Sequence, residues 1–108
     1  MIEWLKSWFT RKPVGQARSG QWARVRRQHL ERWNWCAACG RKDNLEAHHV
    51  IPFSVDPSLE LTADNIITLC RTTCHLLIGH LNDWSSHNPD VRKDAEKLLS
   101  KIRNRPKG

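Results

Sequence analysis

Apolar and polar residues alternate along this chain in patterns that change from one stretch to the next. Ile2, Leu5 and Phe9, with Trp4 and Trp8, are spaced as one side of a short amphipathic helix, which RKPVG at 11–15 breaks. Trp22, Val25, Leu30 and Trp33 repeat as the buried side of a second helix over about 21–33, with Ser19 placed to cap it. Arg24, Arg26, Arg27 and Arg32 charge the rest of that helix. Leu45 to Ile51 reads as a strand ended by Pro52, and Ile66 to Leu69 as a short second strand. The twelve residues SVDPSLELTADN between them form a loop rich in turn residues. From Cys74 to about Trp84 the spacing of Leu77, Leu81 and Trp84 predicts a helix. Asn88-Pro89 then starts a last helix over about 90–103, with Val91, Ala95, Leu98, Leu99 and Ile102 as its apolar side.

The predicted order is helix, knuckle, strand, loop, strand, helix, helix: a small α+β domain with no internal repeat. Its expected limits are 19–104, with the core at 34–84. Residues 1–18 form an N-terminal amphipathic and basic extension, and 105–108 a basic tail. At 108 residues the chain has room for one modest core. No segment reaches the roughly 20 apolar residues that span a bilayer, and MIEWLKSWFT lacks the features of an export signal. The first helix is expected to pack on the domain rather than lie on a membrane. A cytoplasmic location follows, in which thiols stay reduced.

The net charge of +7, from 18 Lys and Arg against 11 Asp and Glu, favours an anionic partner, most simply a nucleic acid. The bland alternative is a solvated basic surface. Four cysteines then narrow the chemistry. Cys36 and Cys39 form C-x2-C with Gly40 relieving the turn, and Cys70 and Cys74 form C-x3-C. Two close pairs suit a tetrahedral structural Zn²⁺, closed to chemistry; two disulfides or unrelated buried thiols are the competing readings. A short chain with a long loop gains stability by tying distant segments to one ion.

Six histidines are present, at 29, 48, 49, 75, 80 and 87. Neighbours on a strand point to opposite faces, so His48 and His49 have different surroundings. His75 follows Cys74 at the start of the predicted helix, where it can meet the strand end in an imidazole cluster. His29 and His87 read as surface or packing residues.

In their order, C-x2-CG, LEAHHVIP, DNIITLC and C-H resemble the HNH endonucleases, a family with a ββα-metal (His-Me finger) core, here with a four-cysteine zinc. The resemblance covers about residues 34–84, and its HNH letters fall on His49, Asn65 and His75. It implies metal-dependent hydrolysis of DNA phosphodiester bonds, by nicking or double-strand cleavage, leaving 3′-hydroxyl and 5′-phosphate ends. His49 is implied as the general base, and His48 and His75 as ligands of one catalytic divalent cation. Asn65 is implied to fasten the loop and orient His49. His80 is a further candidate ligand, beside or instead of His75; its competing reading is packing near Trp84. Many relatives carry aspartate where this chain has His48. Imidazole favours Mn²⁺, Ni²⁺ or Zn²⁺ over Mg²⁺, which leaves these four as candidate ions.

Arg24, Arg27, Arg41 and Arg71 are the expected phosphate contacts, with Arg18, Arg26, Arg32 and Lys42 nearby in the sequence. The resemblance also brings a bacterial or phage setting, with a packaging or restriction complex as a possible protein partner and a monomer or dimer as the working unit. The alternative function is a zinc-stabilised DNA-binding module or accessory factor without catalysis.

Overall fold

The computed structural model describes residues 18–108. The expected helix over the first ten residues, and the contacts assigned to it, lie outside the described residues.

Two antiparallel strands, β1 (Leu45–His49) and β2 (Ile66–Cys70), form the centre. Their register pairs Glu46 with Leu69, Ala47 with Thr68, His48 with Ile67 and His49 with Ile66. Directly paired residues share a face, so the sheet sorts the two adjacent histidines. Glu46, His48, Ile67 and Leu69 look one way; Ala47, His49, Ile66 and Thr68 look the other.

The first helix, α1 (Trp22–Arg32), covers the His49 face. His29 Nε2 meets Thr68 Oγ1 at 2.9 Å, and Thr68 Oγ1 donates to the Trp33 carbonyl at 2.8 Å. The helix is fixed by these polar ties, since none of its residues is fully buried. Trp22, Val25 and Leu30 are half-buried as the pattern predicts, but Trp33 is exposed. The chain leaves the helix at Trp33, at φ −113° and ψ 76°, so the helical spacing no longer governs where its indole points. Ser19 contributes at the helix start by accepting from the Gln21 N–H.

The loop between the strands is two 3-10 turns, at Pro57–Leu59 and Ala63–Asn65. Asp56 accepts from the Ser58 N–H and caps the first. The last helix, α2 (Val91–Arg103), buries Val91 and Ala95 completely against β2 and the cysteines. Arg92 donates to the carbonyls of Asp64 and Ile66 and pins this helix to the start of β2. Asn88 is buried: it accepts from the Asp90 N–H and donates to the Ile78 carbonyl and to Asp94. The helix therefore starts one turn-residue after the expected Asn-Pro cap.

The predicted helix over 74–84 is the main departure. It is a single π-helical turn, His75–Gly79. The His80 N–H reaches the His75 carbonyl at 3.1 Å, five residues back, and the Asn82 N–H reaches Leu76 at 2.8 Å. Leu81 and Asn82 then take positive φ values of 54° and 65° and end it. Leu77, Leu81 and Trp84 are consequently exposed and do not form a buried side.

Candidate metal centre

The four cysteines come together at one end of the sheet, with every sulfur within 4.8 Å of the others. C-x2-C sits in a knuckle where Gly40 adopts φ +82°, a backbone state that needs glycine. The N–H groups of Cys39 and Cys74 donate to the sulfurs of Cys36 and Cys70, each at 3.4 Å. Cys39 and Cys70 sulfurs are 3.8 Å apart. Zinc–thiolate bonds of about 2.3 Å in a tetrahedron imply sulfur spacings of about 3.8 Å, so the pocket fits the ion. All four cysteines are free. Burial pushes the Cys74 and Cys39 thiols up, and neighbouring sulfurs add to it. Four thiolates at this spacing need a cation between them.

The second cluster contains only imidazoles. His48, His75 and His80 each offer a ring nitrogen within 4.8 Å of the other two. Their ring centroids are 4.9 Å apart in all three pairs. The π turn explains why both helical histidines reach this point. A five-residue step on an α-helix lands roughly 140° off the starting face. Hydrogen bonding to the fifth residue brings His80 back over His75.

The outer nitrogens are tied in ways that aim the inner ones. His75 Nδ1 lies 2.9 Å from Glu46 Oε1, and His80 Nδ1 lies 2.7 Å from the Ser86 carbonyl. A carboxylate and a carbonyl only accept here, so each Nδ1 carries the proton and each Nε2 keeps its lone pair. His48 is buried, and its Nε2 has no hydrogen-bond partner. Such an orphaned atom is rare in a folded protein, and a bound ion would satisfy it. Its ring rests on Gly79, where a Cβ would stand 3.1 Å from His48 Cε1. Burial, then the nearby His75 and His80, push the His48 pKa down to about 3. Burial also lowers His75, against the opposing pull of Glu46. Both shifts favour the neutral ring that metal ligation would need. The donor set fits a divalent ion that accepts nitrogen.

His49 sits on the other face of the strand end. Its Nε2 donates to the Glu60 carbonyl at 2.8 Å, which leaves Nδ1 as the basic nitrogen. Trp22 stacks on the ring at 4.4 Å between centroids. Burial lowers the His49 pKa, and the Glu60 carbonyl opposes that. The Glu60 side chain is itself buried, held by Arg18 at 2.7 Å and the Ser19 N–H at 3.0 Å. Asn65 closes the loop: Oδ1 accepts from the Ile51 N–H at 2.8 Å, and Nδ2 donates to the carbonyls of Ile51 and Leu59. Its side chain hydrogen-bonds to neither His49 nor the imidazole cluster, and it ties together the chain segments at Ile51 and Leu59.

The four arginines singled out in the sequence are all exposed. Arg24 bonds Gln21, Arg41 pairs with Asp43, and Arg71 lies 3.7 Å from Glu46 beside the triad. Glu46 and Glu60 were not singled out, and Trp22 was read only as part of a helix's buried side. Glu46 was within reach, because it lies two residues before His48 and so shares its face. The Glu60 contribution is a backbone carbonyl, which leaves no mark in the sequence.

Two strands, a short helical turn and a metal-type histidine cluster set against a four-cysteine knuckle define a ββα-metal fold. Residues 36–81 match the family model described as HNH endonuclease, a likeness that suggests a nuclease-type function. The match begins at the first zinc-type cysteine and ends just past His80. Comparison with curated proteins and with solved structures returned no match. Among the described residues no helix is long and apolar enough to cross a membrane.

Glu46→Gln tests how the triad is oriented. It retains the shape but removes the charge behind His75. It should weaken divalent-ion affinity by about ten- to a hundredfold, measured by calorimetry on protein with its cysteine site filled.

Proposed function

We propose that this chain is a metal-dependent endonuclease that hydrolyses phosphodiester bonds in DNA. The observation that carries the reading is the meeting of His48, His75 and His80, with a buried unpartnered nitrogen among them and His49 at the same strand end. When bound there, a divalent ion supplies charge neutralisation at the scissile phosphate and at the departing 3′ oxygen. His49 accepts the proton of the attacking water at Nδ1, while the Glu60 carbonyl fixes its tautomer. Trp22 limits the ring's rotation, and Asn65 holds the loop that supplies Glu60. The base and the ion site bracket the end of β1, so the phosphate lies across that end. Arg71 beside Glu46, and Arg24, Arg27 and Arg41 on exposed surfaces, hold flanking phosphates. One triad serves one strand at a time, so nicking is the elementary event.

The test is conversion of supercoiled plasmid to the nicked form, with Mg²⁺, Mn²⁺, Ni²⁺ or Zn²⁺ added separately. Cleavage with at least one ion and none after chelation supports the reading. A plasmid that is bound but never cut, with any ion, points to a binding module.

The acid side of the pH profile follows from the imidazoles. Burial places His49, His48 and His75 below the ordinary value of 6.5. The neutral forms, needed both as base and as ligands, therefore persist down to at least that pH. The acid limb of kcat/KM should therefore be centred below pH 6.5. An acid limb centred above pH 7 would contradict these assignments.

A further inference from the structure

Trp84 is 56% exposed, yet it stands directly against the imidazole triad. Its ring centroid is 5.2 Å from that of His75 and 4.9 Å from that of His80. The turn that presents it is tightly held. The Asn82 N–H donates to Leu76, the Asp83 N–H to His80 and the Ser86 N–H to Asp83, while Asp83 Oδ1 accepts from both Ser85 N–H and Ser85 Oγ. Leu81 and Asn82 sit at positive φ within it, a local cost that such a turn must offset. Leu77 and Leu81 are also exposed nearby in the chain. The indole is thus held beside the imidazole cluster with more than half of its surface open to solvent.

We propose that Trp84 is a stacking contact for a nucleotide next to the scissile phosphate, and that it favours sites where a base is unpaired. This rests on the nuclease reading, because a phosphate that reaches the triad brings its neighbouring sugar and base against this indole. A base inside a duplex has both faces occupied and offers only its edges. A base in a single strand or mismatch has a free face, and stacking on an aromatic ring is then favourable whatever the base. The basic chain, at +7, supplies the general attraction, and Trp84 adds the structural preference.

Binding of three labelled oligonucleotides of one sequence tests this: a full duplex, a duplex with a mismatch bubble, and a single strand. Affinity is read by fluorescence anisotropy with Mn²⁺ present, on a His49→Ala background so that no cleavage intervenes. Trp84→Ala should lower affinity for the bubble and the single strand on the order of tenfold, with little change for the duplex. Trp84→Phe should retain most of the preference, and Mn²⁺ affinity by calorimetry should stay within about twofold, since the ligands remain tied by Glu46 and Ser86. Equal losses on all three substrates, no rescue by phenylalanine, or a parallel fall in Mn²⁺ affinity would each overturn the inference. If the wild-type protein cuts no DNA but the Trp84-dependent preference is present, the nuclease reading fails and Trp84 stands as a base-stacking contact of a binding module, with no scissile phosphate beside it. If it cuts and shows no preference, this inference fails alone.

Discussion

Removing the ion from Cys36, Cys39, Cys70 and Cys74 is expected to unfold the domain. The apolar core is small. The largest fully buried side chains are Ile66, Leu69, Val91, Cys36 and Cys70, and two of these are the candidate ligands themselves. Helix α1 contributes no fully buried residue. The four sulfurs join the knuckle, the end of β2 and the start of the π turn, three segments otherwise linked by a two-stranded sheet. A two-stranded sheet alone is marginal in water. Structural zinc sites contribute on the order of 10 kcal/mol to folding, comparable to the whole stability of a domain this size. A strong chelator should therefore abolish the cooperative thermal transition and the helical circular dichroism together, and Cys74→Ser should reproduce much of this. A metal-free protein that retained its unfolding midpoint would show that packing alone holds the fold.

The cysteine spacing and the two strands were legible because each is a local rule. Paired thiols need a tight turn between them, and β1 and β2 follow the predicted stretches to within two residues at each end. That His48 and His49 have different surroundings was legible too, since strand neighbours face opposite ways. What the sequence concealed was the winding after Cys74. Leu77, Leu81 and Trp84 fit an α-helical period, and that fit suggested a buried side that does not exist. The spacing of His75 and His80 was the better guide, but it reads as a poor match until the turn is taken as π-helical. Hydrogen bonds such as Asn82 to Leu76, and Asn88 to Ile78, select that winding, and no short-range pattern encodes them. Trp33 shows the same limit at the end of α1, where one change of backbone angle moved an apparently apolar position into solvent.

His49→Ala should be the most damaging substitution that leaves the fold and both metal sites in place. His49 is opposite Ile66, while His48 is opposite Ile67 and belongs to the His48, His75 and His80 cluster, so losing the His49 ring removes no member of that cluster. It removes the group whose tautomer the Glu60 carbonyl fixes. A positioned general base contributes roughly a hundred- to ten-thousandfold to rate, and nicking should fall within that range. Divalent-ion affinity and the unfolding midpoint should stay near those of the parent. His48→Ala should contrast with it, because ion affinity and cleavage would fall together as the buried ligand is lost. The pair of variants thus separates proton transfer from ion binding at two adjacent positions in the chain. Nicking within about tenfold of the parent in His49→Ala would place the base elsewhere. A matching loss of ion affinity in that variant would instead make His49 part of the ion site, against the strand geometry that points it away.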